Sequence, residues 1–200
     1  LRVVASEADA RALSRYQQRY QAITLQGNEA LTAALSEETL YILFGGAKGG
    51  SKTGTGVRIL QHLVTHYEGG RYAVMRRNFT DLHVTTKQSF NKLFPRELIE
   101  HPTDAVWHCK NNNQIWFHAA DRSTDSDYEK TRGLELSAIF VDETSQFDEG
   151  FYELLPSLLR HDAFSLETGE TLSGFVYMTS NPVPGKNWLK RNFVDEKSRV

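Results

Sequence analysis

The sequence predicts an α/β domain with a mainly parallel central sheet, and three observations carry that expectation. Compact apolar runs recur at "LYILFGG", "RYAVMR", "LSAIFVDE" and "GFVYMTSNP", each short enough to be a buried strand. Stretches with helical spacing separate them, the alternation that parallel strands need. Those stretches are also long enough for right-handed crossovers.

The 200 residues suit one domain with a real core. Charged residues make up 24% and hydrophobic residues 40%, which excludes a disordered chain and suits a globular one. The formal net charge of −2 gives no overall pull on nucleic acid, so any such contact must come from a local patch. No apolar run approaches the roughly 18 residues of a membrane span, and no leader pattern opens the chain. A location away from membranes and not secreted is therefore expected. The single cysteine, Cys109, has no partner for an intramolecular disulfide and reads as a buried thiol. The chain starts at Leu1, as a fragment would.

Residues 1–36 are expected to be a helical lead-in, with helices over 7–22 and 28–35, and residues 37–200 the core domain. "LYILFGG" then reads as a strand running into glycines. Residues 52–67 form a helix with Val57, Leu60, Leu63 and Val64 on one face, stopped at Gly69-Gly70. Residues 71–76 are a second strand, and 81–93 a helix that ends before Pro95. "AVWHCK" and "QIWFHAA" flank three asparagines and predict an added hairpin, with Trp107, Trp116 and Phe117 in its core. "DRSTDSDYEKTRG" is a polar loop, "LSAIFVDE" a third strand, 150–160 a helix, and "GFVYMTSNP" a fourth strand stopped by Pro182.

The first strand opens a glycine-rich turn close to the phosphate-loop pattern G-x-x-x-x-G-K-[ST]. Gly46, Ala47, Lys48, Gly49 and Gly50 are followed by Ser51 where the second glycine belongs, then by Lys52 and Thr53. Successive backbone N–H groups there can cradle phosphate at a helix start. Lys52 would reach the outer phosphates and Thr53 would hold Mg²⁺. Lys48 is a second cation that could share the phosphate role. "AIFVDE" ends a strand in Asp142, suited to Mg²⁺, and Glu143, suited to orienting and deprotonating water. "YMTSNP" ends another strand in Thr179, Ser180 and Asn181, uncharged hydrogen-bonding groups able to sense a terminal phosphate.

In this order and spacing, "GGAKGGSKT", "RRNFTDL", "TRGLELSAIFVDETSQF" and "TSNPVPGKNWLKRNF" resemble the ATPase half of a tailed-phage terminase large subunit, over residues 41–193. The resemblance implies a RecA-like (ASCE) P-loop NTPase that binds ATP and Mg²⁺ and drives double-stranded DNA into a procapsid. It implies Walker A roles for Lys52 and Thr53 and Walker B roles for Asp142 and Glu143. Thr179, Ser180 and Asn181 become the coupling motif. Their strand should lie between the phosphate-loop strand and the Asp142 strand. The family's variant phosphate loops make Ser51 tolerable. Arg132, ten residues before Asp142, becomes an arginine finger for a neighbouring subunit; on the residues alone it could equally pair with Asp127 or Glu129.

The same resemblance implies portal protein and terminase small subunit as partners, and a homo-oligomeric ring on the portal, with a monomer in isolation. The host cytoplasm is the implied location. The family's nuclease domain has no counterpart here, so no endonuclease activity is expected from this chain. Two other readings stay open: a nucleotide-binding assembly module with impaired hydrolysis, and a helicase-type RecA-like ATPase.

Arg76 and Arg77 could touch phosphate of ATP or of DNA, and Lys186, Lys190 and Arg191 form a second basic group. Asp121, Asp125, Asp127 and Glu129 lack a calcium-loop pattern and read as a solvated loop. His62 and His66 have i,i+4 spacing without a third ligand. Tyr16, Gln17 and Gln21 are adenine-contact candidates by their upstream position.

Overall fold

The computed structural model describes residues 40–45, 52–181 and 188–193. The expected lead-in helices, Gly46 to Ser51, Lys186 and the adenine candidates lie outside the described residues.

Nine strands are described: β1 (Tyr41–Gly45), β2 (Tyr67–Glu68), β3 (Arg71–Arg76), β4 (Ile99–Pro102), β5 (Val106–Cys109), β6 (Asn113–Ala119), β7 (Ala138–Val141), β8 (Phe164–Ser165) and β9 (Phe175–Ser180). Seven of them form one sheet in the order β1-β9-β7-β3-β6-β5-β4. The β1 to β6 part is parallel, and β5 and β4 extend it antiparallel. β9 therefore sits between β1 and β7, as the family resemblance implies. β2 and β8 make a separate two-stranded ribbon.

The parallel strands carry apolar side chains on both faces because both faces are covered. Ile42, Phe44, Tyr72, Val74, Phe140, Phe175 and Tyr177 point to one side, where they meet helix α1 (Lys52–His66) and Phe90. Leu43, Ala73, Met75, Ile139, Val141, Val176 and Met178 point to the other, against Phe151, Leu154 and Trp188. The two sets interleave along each strand, as the two-residue period of a strand demands.

Helix α1 buries Val57, Leu60, Leu63 and Val64 as its pattern predicts. The next helix, α2, spans residues 79–93 and is not uniform. Phe79–Asp81 and Lys87–Leu93 flank a π-helical turn, Leu82–Thr86, in which the Lys87 N–H bonds to the Leu82 carbonyl. The hairpin turns at Asn111 and Asn112, both left-handed (φ 57° and 56°), which asparagine tolerates better than most residues. Buried Asn113 accepts from the Gly70 N–H and donates to the Val64 and Tyr67 carbonyls, tying the hairpin to the end of α1. The polar loop contains a short helix, α3 (Glu129–Arg132), capped by Asp125, whose carboxylate accepts from the Glu129 and Lys130 N–H groups.

The helix expected over 150–160 is shorter. Helix α4 (Glu149–Leu154) gives way to a 3₁₀ turn, Leu155–Leu158, because Pro156 brings no N–H for an α-helical bond. Helix α5 (Trp188–Phe193) closes the described chain. No helix among the described residues is long and apolar enough to cross a membrane.

Gly56 sets how closely α1 lies on the sheet. A Cβ there would stand 2.9 Å from the Phe140 ring. That ring is itself confined by Phe90 and Tyr177, with centroids 6.0 and 5.4 Å away. Gly56→Ala gains about 1 kcal/mol of helix propensity but incurs overpacking of about 1–3 kcal/mol. Chemical denaturation should show a net loss near ~1 kcal/mol, and the same substitution made in a Phe140→Leu background should cost less.

Candidate active site

The register aligns Gly45 with Ser180, Leu43 with Met178, Met178 with Val141 and Val141 with Met75. The carboxyl ends of β1, β9, β7 and β3 therefore form one edge, and the residues just beyond them share a crevice. Asp142, Glu143, Asn181 and Arg76 come to that edge from three strands, and Lys52 and Thr53 from the start of α1.

Asp142 is 5% exposed and sits among side-chain donors. Its Oδ1 accepts from the Thr179 hydroxyl at 2.7 Å and, weakly, from the Thr53 hydroxyl at 3.5 Å. Its Oδ2 accepts from the Thr86 hydroxyl at 2.6 Å, with an Arg76 guanidinium nitrogen 3.7 Å away. Thr179 also accepts from the Glu143 N–H at 3.2 Å, so its own proton is directed at Asp142.

Glu143 departs from Asp142 by a backbone device. Its φ is +55°, a left-handed conformation rare for a glutamate. The reversal turns the chain out of β7 and carries the two neighbouring acids to different partners. The Glu143 carbonyl accepts from the Gln146 N–H at 2.9 Å, which helps hold the turn.

Asn181 joins the two halves of the site. Its Oδ1 accepts from Lys52 Nζ at 2.9 Å, while its Nδ2 donates to both Glu143 carboxylate oxygens at 2.9 and 3.0 Å. The charges fix the amide's orientation, because the flipped form would set NH₂ against ammonium and oxygen against carboxylate. The Tyr177 hydroxyl donates to the Lys52 carbonyl at 3.0 Å and anchors the first turn of α1 to β9. Burial pushes the Tyr177 phenol far above its ordinary value, so it remains a donor at every working pH.

The predicted site residues Lys52, Thr53, Asp142, Glu143 and Asn181 are thus one hydrogen-bonded group. Thr53 Oγ1 and Asp142 Oδ1 are hard oxygen donors facing each other. They lie 3.5 Å apart at the sheet edge, a pair of the oxygen type that could hold a divalent cation such as Mg²⁺ after a small approach.

Arg132 stands apart. Its Nε donates to the Asp127 backbone carbonyl at 2.8 Å, and its own carbonyl accepts from Arg160. The expected partner segment is right, but the contact is with the main chain rather than with a carboxylate. Arg76 turns inward to Thr85, Thr86 and Asp142, while Arg77 reaches the Gln146 carbonyl at 3.3 Å. His62 stacks on His66 with centroids 4.3 Å apart, and no cluster of three metal-ligating side chains occurs among the described residues. Sequence reasoning misses Thr86, because nothing in its neighbours signals that a helix residue will face a strand-end carboxylate. It also assigns Thr179 to the phosphate, whereas the hydroxyl faces Asp142.

The fold has clear solved counterparts. The large terminase of a thermophilic bacteriophage, in its crystal form 2, superposes with a TM-score of 0.62 at 12% identity, over 90% of this chain and 43% of that one. The same phage's large terminase in complex with ADP gives 0.65 at 14% identity, over 86% and 42%. The HK97 bacteriophage large terminase gives 0.57 at 13% identity, over 88% and 40%. The chain thus spans less than half the length of these relatives. No curated protein matches it. The family model for the phage terminase large subunit matches residues 37–200, and the chain belongs to that family.

Proposed function

We propose that this chain is an ATPase unit of a DNA-packaging motor, hydrolysing ATP to move double-stranded DNA into a procapsid. The observation that carries it is the Lys52–Asn181–Glu143 bridge beside the Thr53–Asp142 pair, all at one sheet edge. The ADP complex of the thermophilic-phage large terminase supports nucleotide as the ligand.

Gly46, Ala47, Lys48, Gly49, Gly50 and Ser51 would wrap the β- and γ-phosphates with backbone N–H groups, next to Lys52. Magnesium held by Thr53 and Asp142 would neutralise charge on the transferring phosphoryl group. Lys52 would leave Asn181 Oδ1 for the γ-phosphate, where its charge is better matched. Glu143 would take a proton from the attacking water as the new O–P bond forms and the bond to the β-phosphate oxygen breaks. Asn181 would hold the Glu143 carboxylate towards that water and register the phosphate through Lys52.

Arg132 would supply a finger to a neighbouring subunit in a homo-oligomeric ring on the portal, with the small subunit as a further partner and the host cytoplasm as the setting.

Glu143→Gln should lower kcat by about 10²–10⁴ while nucleotide affinity stays within about twofold. Turnover assays with fluorescent-nucleotide titration check this. Unchanged turnover would defeat the assignment, and binding without turnover in the unaltered chain would point to an assembly module. If Arg132 acts in trans, specific activity should climb with protein concentration, and Arg132→Ala should remove the climb. Fingers of this kind are worth about 10³–10⁵ in turnover. A fast rate independent of concentration in a strict monomer would overturn that role.

A further inference from the structure

We infer that Arg76 and Thr86 are positioning residues that orient the Asp142 carboxylate for its metal. This role presupposes the nucleotide–metal site proposed above and adds to it two residues from β3 and α2.

The hydrogen-bond directions are forced. An arginine can only donate, and Arg76 Nη1 donates to Thr86 Oγ1 at 3.0 Å. With a lone pair so occupied, the Thr86 hydroxyl directs its proton to Asp142 Oδ2, 2.6 Å away. Arg76 is also held by Thr85, with Asp81 Oδ2 4.0 Å from its other nitrogen, and its side chain is only 12% exposed. Thr86 is 1% exposed. Neither group has room to swing.

On the opposite oxygen, Thr179 is likewise directed by the Glu143 N–H. Three of the four contacts on Asp142 are thereby close or charged, and they come from β3, α2 and β9. The fourth, Thr53 at 3.5 Å, is the longest of the hydroxyl contacts. It is the contact a metal or metal-bound water would replace at least cost. Arg76 and Thr86 thus pin Oδ2, leaving one side of Oδ1 open towards Thr53.

Thr86 lies in the π-helical turn, and Leu82, Thr86 and Phe90, four residues apart, are all buried on the sheet-facing side of α2. Turns of this type recur at functional sites. Partners of metal-ligating carboxylates are worth about 10–100-fold in metal affinity or activity.

The test is Mn²⁺ binding to the chain with saturating ADP, read by electron paramagnetic resonance of free Mn²⁺. Thr86→Val keeps the shape and removes the hydroxyl, and should raise the Mn²⁺ Kd about tenfold. ADP affinity measured without metal should stay within about twofold, a split that a merely structural role would not produce. Thr86→Ser should restore the Kd. Arg76→Lys keeps the charge and loses the planar fork, so it should weaken Mn²⁺ at least about threefold. It carries the same test should Thr86→Val not fold. Asp142→Asn is the control. If Asp142→Asn weakens Mn²⁺ binding while folded Thr86→Val and Arg76→Lys bind as the unaltered chain does, the positioning role is overturned and the site stands. If Asp142→Asn itself has no effect, the metal-site reading fails, and this role with it.

Discussion

Burial of the Asp142 carboxylate is the constraint on which the rest of the site depends. A carboxylate this enclosed is costly unless its oxygens are satisfied. Satisfaction comes from Thr53, Thr86, Thr179 and Arg76, which belong to different elements. The sheet order β1-β9-β7-β3 is the arrangement that makes this possible, since it flanks the Asp142 strand with β9 on one side and β3 on the other. Core packing and site geometry are consequently linked. Gly56 lets α1 lie against Phe140, one strand position before Val141, and α1 begins with Lys52 and Thr53.

Two neighbouring acids with different partners in one crevice require a break in strand geometry. In an extended strand they would point to opposite faces and share no crevice. The left-handed backbone at Glu143 breaks that alternation at the end of β7. Such a conformation costs of order ~1–3 kcal/mol, and the Thr179 and Gln146 contacts keep it in place. Thr179 thereby holds one acid by its side chain and the next by its main chain.

The parallel strands were legible because a strand buried on both faces leaves an uninterrupted apolar run, whereas the place of β9 between β1 and β7 followed only from the family resemblance. Lys52, Thr53, Asp142, Glu143 and Asn181 were legible because each sits next to such a run or at the start of the following helix. β4 was not legible: "IEHP" is largely exposed and carries a proline, so it has no apolar signature. Helix α4 ends before the apolar pattern over 150–160 does, because Pro156 interrupts an otherwise helical stretch. Thr86 was beyond reach for a different reason. It faces Asp142 across the fold from a π-helical turn, and residues 82–86 carry no local feature that signals either the turn or the contact.

Asn181 shows why a neutral residue belongs between a cation and an anion. A direct Lys52–Glu143 ion pair would hold both groups in each other's field and oppose the phosphate and water roles proposed for them. An amide offers each of them one neutral hydrogen-bonding partner of the right sense, weaker than a charge–charge contact and easier to exchange. A phosphate that draws Lys52 away leaves Asn181 Oδ1 unpaired while Nδ2 still holds Glu143. The amide is then displaced from one side only. Because Asn181 follows directly on β9, that imbalance acts on a strand whose Thr179 is bonded to Asp142 and whose Tyr177 is bonded to the start of α1. Under the proposed function, the arrival of that phosphate would therefore reach Asp142, Glu143 and the start of α1 through one strand end.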